Sequence, residues 1–212
     1  MLALNTFVFN DFQENTYLLF DHTSACVVVD PGMSTENEIE EFEEFISEHN
    51  LNPVAIVNTH CHIDHVLGCR YLKERYKIPF YIHSDEIAVL EKAQLYGEFF
   101  GLKVDPPPPA DHFLVEGDTF KVGESELTIF HVPGHSEGSI ALYCANSNFI
   151  ITGDVLFRGS IGRTDLPGGD YNTLINSITT KIMTLPGKVE VYPGHGPKTT
   201  IENERSSNPF LQ

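Results

Sequence analysis

The chain has 212 residues, 41% hydrophobic and 20% charged, a composition that suits one domain spanning 1–212 and argues against disorder. Thirteen basic residues stand against thirty acidic ones, a formal charge of −17, and such a field repels phosphate backbones and anionic lipid headgroups. Nucleic acid and membrane surfaces are therefore disfavoured as partners, no stretch approaches the ~18 apolar residues that cross a bilayer, and no obligate protein partner is evident.

The amino terminus lacks the basic start and apolar run of a signal peptide. Cys26, Cys61, Cys69 and Cys144 form no CxxC pair, so a reducing cytoplasm is the expected home. Residues 6–9, 16–20 and 26–29 are rich in β-branched and aromatic side chains and read as a β meander, closed by Asp30-Pro31-Gly32. An acidic helix is expected over 35–49: Ile39, Phe42, Phe45 and Ile46 fall at helical spacing, and Thr35 with Glu38 suits a capping box. Strand 54–57 leads into a histidine cluster and a helix ending at Tyr76. Strand 79–82 and helix 84–99 follow. The run Asp105-Pro106-Pro107-Pro108-Pro109 has no free amide at four positions and reads as an exposed loop.

Strands are expected over 127–132, 139–144, 149–152 and 189–192, with helices over 171–184 and 198–206. Strands and helices in both halves predict two mixed sheets packed face to face with helices outside, an α/β αββα sandwich.

Four apolar runs end on residues able to bind metal. Val57 leads to His60-Cys61-His62-Ile63-Asp64-His65, Val132 to Pro133-Gly134-His135, Ile151 to Gly153-Asp154, and Tyr192 to Pro193-Gly194-His195. Side chains two apart share a side only on extended backbone. His60 and His62 can therefore grip one ion if their segment is extended, with His135 as a third nitrogen. Asp64 and His65, at the start of a helix, point elsewhere and suit a second ion with His195, while Asp154 bridges both. Imidazole and carboxylate suit two divalent ions, zinc as first choice, with iron or manganese also compatible. His22 and His49 read as solvent-facing, His83 and His112 as structural, and His131 as a hydrogen-bonded strand residue. Cys61 is expected to point away from the ions.

These residues resemble the metallo-β-lactamase superfamily and, within it, the glyoxalase II-like hydroxyacylglutathione hydrolases of the short bacterial type. The resemblance runs from Asn15-Thr16-Tyr17 and Asp30-Pro31-Gly32, through the clusters above, to Asn208-Pro209-Phe210. It implies the αββα fold and the same seven ligands: His60, His62 and His135 for one ion, Asp64, His65 and His195 for the other, Asp154 shared. It also implies hydrolysis of S-lactoylglutathione-type thioesters by a hydroxide shared between the ions, with Asp64 orienting it and Arg163 contacting the substrate unless it pairs with Asp165 or Asp170. Only 17 residues follow His195, so the helical extension that binds glutathione in longer members is not expected. The alternative within the superfamily is an iron-dependent persulfide dioxygenase. Pro193-Gly194-His195-Gly196-Pro197 looks hydrolytic instead.

Overall fold

Strand alternation sorts side chains into three apolar layers. The computed structural model describes residues 1–99, 101 and 104–212. One sheet holds β1 (Ala3–Phe9), β2 (Glu14–Phe20), β3 (Ala25–Val29), β4 (Asn52–Val57), β5 (Phe80–Ile82) and β6 (His112–Phe113), in that spatial order. The first three are antiparallel and the rest join in parallel. The second contains β7 (Thr119–Val122), β8 (Ser125–His131), β9 (Ile140–Cys144) and β10 (Phe149–Gly153). A small hairpin, β11 (Leu156–Phe157) with β12 (Ser160–Ile161), stands apart, and β13 (Glu190–Pro193) and β14 (Thr199–Thr200) complete the second sheet in the order β14-β13-β10-β9-β8-β7.

Successive strand side chains face opposite ways. Leu18, Cys26, Val28 and Ile56 meet Phe42, Ile46, Leu72 and Leu90 from helices α1 (Glu36–Glu48), α2 (Cys69–Tyr76) and α3 (Ile87–Phe99). Tyr17, Leu19, Val27, Val29 and Val57 face inward onto Leu127, Ile129, Ile140, Leu142 and Ile151 of the other sheet. Behind that sheet, Ala141, Ile150 and Val191 pack on Leu174 of α4 (Tyr171–Ser177), on Ile178, and on Ile201 of α5 (Ile201–Ser207). Burying each large side chain contributes about 1.5–3 kcal/mol. The result is the expected two mixed sheets flanked by helices.

Three local expectations shift. The helix after the histidine cluster splits into a 3-10 turn, Ile63–His65, and α2, which starts only at Cys69. The expected helix over 171–184 stops at Ser177 and widens into a π-turn, Ile178–Ile182, where the Met183 amide reaches back to the Ile178 carbonyl. Thr179 and Thr180 donate their hydroxyls to carbonyls at 175 and 176, competing with the helical ladder. The closing helix begins at Ile201, capped by Thr200. The proline run is pinned rather than free, since Arg70 and Lys73 of α2 donate to the carbonyls of Pro106 and Pro109.

Among the described residues no helix is long and apolar enough to cross a membrane.

Candidate metal centre

The loops at one edge of the two sheets bring the seven predicted side chains together. His60 and His62 precede the 3-10 turn on extended backbone, His62 with φ −62° and ψ 155°, so both imidazoles face one point. The His135 Nε2 atom, delivered after β8, lies 3.3 Å from His60 Nε2 and 2.9 Å from His62 Nδ1. Asp64, His65 and His195 form a second group. Asp64 Oδ2 lies 3.1 Å from His195 Nε2 and 3.6 Å from His65 Nε2. Asp154, at the end of β10, stands between the groups. Its Oδ1 is 3.5 Å from His65, and its Oδ2 is 3.7 Å from His135 and 3.6 Å from His195.

Two glycines make this approach possible. Gly153 takes φ +50° against the Thr59 side chain, and a Cβ at Gly194 would run into the Asp154 carboxylate and the His65 ring. Only glycine combines that conformation and that closeness without strain.

The outer ring nitrogens are held as carefully as the inner ones. His60 Nδ1 lies 3.1 Å from the Thr59 hydroxyl, which itself donates to Asp30. His135 Nδ1 donates to the Arg163 carbonyl, and His195 Nδ1 to the Phe12 carbonyl. His65 Nδ1 faces Asp30 Oδ2 at 3.2 Å. An acceptor beside the far nitrogen orients the ring and, wherever the near nitrogen carries no proton, turns its lone pair toward a cation.

The electrostatics divide the cluster. Burial, then neighbouring imidazoles, drives His60 well below the usual histidine range. Burial and His135 take His62 to about 3, and burial takes His135 to about 4. These three are neutral at pH 7, with lone pairs available. In the second group burial also opposes charge on His65, but Asp64, Asp154 and Asp30 outweigh it and hold the proton well above the ordinary range. Asp64 is driven low in spite of burial by His65 and His195, whereas burial raises Asp154. Cation binding in this second group therefore expels a proton.

Do these residues fit an ion? His65 Nε2 and Asp154 Oδ1 are buried, face each other and lack any hydrogen-bond partner. Leaving such atoms unmatched costs about 1–3 kcal/mol each. The 2.9 and 3.3 Å separations among the three imidazoles are close to the ~3.3 Å edge of a tetrahedron with 2.0 Å metal–nitrogen bonds. The donor set fits a divalent metal. His60, His65 and His135 are buried, while His62, Asp64, Asp154 and His195 reach partial exposure, leaving an open side where a catalytic site needs one.

Arg163 is the predicted site residue whose side chain lies outside the cluster. Its guanidinium makes two 2.8 Å hydrogen bonds to Asp165 on the surface, and Asp170 instead caps α4 through the Thr173 amide. Cys61 is buried in the layer beneath the helices, pointing away as expected. His83 and His131 stack in parallel, 4.2 Å apart at 7°, so one ion cannot lie in both ring planes although Asp85 stands beside them.

Four supporting residues escaped sequence reasoning. Asp30, at φ +50°, accepts from the Thr59 amide and hydroxyl at 2.6 Å each. Glu14 is fully buried, 3.8 Å from His65 Nδ1, and burial pushes its carboxyl well up. Thr59 and Glu86 are the others. Asp30 carried a signal in its Asp-Pro-Gly context, but Glu14, Thr59 and Glu86 have no local signature.

The family model described as the metallo-beta-lactamase superfamily matches residues 9–195. Among curated relatives, the probable metallo-hydrolase YqgX of Bacillus subtilis is 41% identical over 94% of this chain and 92% of its own length. Hydroxyacylglutathione hydrolase GloC of Haemophilus influenzae is 38% identical over 94% and 93%. Among solved structures, the BLEG-1 B3 metallo-beta-lactamase superposes with a TM-score of 0.91 at 36% identity, covering 99% of this chain and all of that one. TTHA1623 in a di-iron-bound form gives 0.88 at 37%, covering 98% and 100%. With its two facing sheets and histidine-rich edge, the chain belongs to the metallo-beta-lactamase superfamily.

Proposed function

We propose that this metallo-hydrolase is a dinuclear thioester hydrolase acting on S-lactoylglutathione-type hydroxyacylglutathiones. The observation that carries the reading is the pair of ligand groups joined by Asp154, open on one side and lined by unmatched buried donor atoms. His60, His62 and His135 would hold one ion and Asp64, His65 and His195 the other, with Asp154 standing within reach of both groups. Bound divalent ions supply Lewis acidity, acidifying water and polarising a carbonyl. Asp64 stays ionised between His65 and His195 and orients the attacking water by accepting its hydrogen bond. Arg163, more than half exposed, would reach a substrate carboxylate only by giving up its two hydrogen bonds to Asp165. A leaving thiolate has a pKa near ~8.5 and needs little protonation, which suits a centre whose imidazoles are all committed to ions. The relative named GloC supports the substrate class, and four buried free thiols suit a reducing, cytoplasmic setting.

Zinc is the first candidate for the ions, and the di-iron form of TTHA1623 makes iron the second. The test combines elemental analysis with kinetics on zinc-, iron- and manganese-loaded protein. Two ions per chain and cleavage of S-lactoylglutathione are expected. Faster hydrolysis of a β-lactam, or oxygen uptake with glutathione persulfide in place of thioester cleavage, would overturn the assignment.

A further inference from the structure

The three-imidazole group is assembled from two separate loops, whose backbones meet through one hydrogen bond at their outer ends, from the Ile140 amide to the Thr59 carbonyl at 2.8 Å. Between the ligands themselves the tie is a carboxylate from a third element. Glu86 closes the 3-10 turn Ser84–Glu86 ahead of α3 and is fully buried. Its Oε2 accepts the Cys61 amide at 2.7 Å, between His60 and His62. Its Oε1 accepts the Ser136 hydroxyl at 2.6 Å and the Gly138 amide at 2.9 Å, in the loop that carries His135. Gly138 has no room for a side chain, because a Cβ there would stand 2.8 Å from Glu86 itself. Ser136 is held in turn by Ser139, 2.7 Å away.

We infer that Glu86 is the positioning residue for the ion held by His60, His62 and His135, fixing the two loops in the register that converges their imidazoles. Burying a carboxylate is costly unless its lone pairs are used, and here three donors from the two ligand-bearing loops use them. An ionised carboxylate accepts at both oxygens. A glutamine presents an amide N–H to one side: with its oxygen on Cys61 it loses the Gly138 tie and Ser136 must reverse to accept, and with its oxygen on Ser136 and Gly138 it loses the Cys61 tie. No hydrogen bond runs from Glu86 to Asp64, His65 or His195, so the second ion's own ligands do not depend on it. Asp30 differs: through Thr59 it supports His60, and directly it faces His65.

The inference rests on the two-ion reading. Zinc-loaded wild type, Glu86→Gln, Ser136→Ala and His62→Ala are challenged with a chromophoric chelator, and zinc release is followed ion by ion beside a thermal melt. His62→Ala identifies which release phase belongs to the three-imidazole group. Glu86→Gln is expected to accelerate that phase about tenfold or more, the usual effect of removing support behind a ligand. Ser136→Ala, which leaves the carboxylate in place, accelerates it less, and the other phase stays at the wild-type rate. A single ion in wild type would sink the two-ion reading, yet Glu86→Gln must still loosen whichever ion depends on His62. If that ion leaves Glu86→Gln at the wild-type rate, or both ions leave equally faster, Glu86 is not its positioning residue.

Discussion

At Arg163 one residue serves two ends through different atoms. Its carbonyl receives the His135 Nδ1 proton, while its guanidinium lies more than half exposed on Asp165. Substitution by alanine keeps the carbonyl, so the metal group is retained, and an exposed ion pair adds little to stability. If the guanidinium leaves Asp165 for a substrate carboxylate, Arg163→Ala raises KM for S-lactoylglutathione by about tenfold with kcat nearly unchanged, the signature of binding made equally in ground and transition states. Steady-state kinetics beside a thioester without carboxylates checks this. Equal changes on both substrates would mean that Arg163 does not read the carboxylate.

At the scale of elements, the start of α1 joins helix to hairpin. Thr35 caps the helix in a capping box with Glu38, and the Glu38 carboxylate also accepts amides from Asn10 and Ser34. Asn10 donates its side-chain amide to the carbonyls of Gly32 and Asp64, so this cap is one step from a ligand. Partial burial works to raise the Glu38 pKa, but the amides of Ser34, Asn10 and Thr35 together bring it below 4.5. A carboxyl lowered on folding contributes stability that is present above its unfolded pKa and fades as pH falls through the folded one. Glu38→Gln should therefore cost about 1 kcal/mol at pH 7, with the gap to wild type narrowing below pH 4.5. Urea denaturation of both proteins across that range reads the gap, and a constant gap would show that the charge is not what the amides hold.

For the whole molecule, ions bound at this centre would act as a clasp between the sheets. His60 to His65 follow β4 of the first sheet, whereas His135, Asp154 and His195 follow β8, β10 and β13 of the second. Ligands this far apart in the chain meet only in the folded state, so binding is linked to folding. Ions present at a thousand times their dissociation constant stabilise by about 4 kcal/mol. For a chain of this size that corresponds to a Tm higher by about 10 °C. Calorimetry of the chelated and zinc-restored protein measures it, and coincident transitions would refute the clasp.

What the sequence alone determined was local. Alternating β-branched runs announced the strands, Thr35 and Glu38 announced a helix start, and each histidine or aspartate of the cluster sat next to glycine or at the end of an apolar run. Short-range patterns are legible because burial on one face and turn geometry act on neighbouring residues. The sequence did not reveal that β10 pairs in parallel with β13 or that a helix gives way to a π-turn at Ile178, and it offered Asp165 as one of three ends for Arg163 without deciding among them. It also left most supports of the centre unmarked, and gave Asp30 a turn signal without its partner. Glu86 meets Cys61 across 25 residues and Ser136 across 50, and Asp30 meets Thr59 across 29. A carboxylate in the chain looks the same whether solvated or buried; only the tertiary structure, by delivering amides and hydroxyls to both its oxygens, decides that it can leave water and hold a ligand in place.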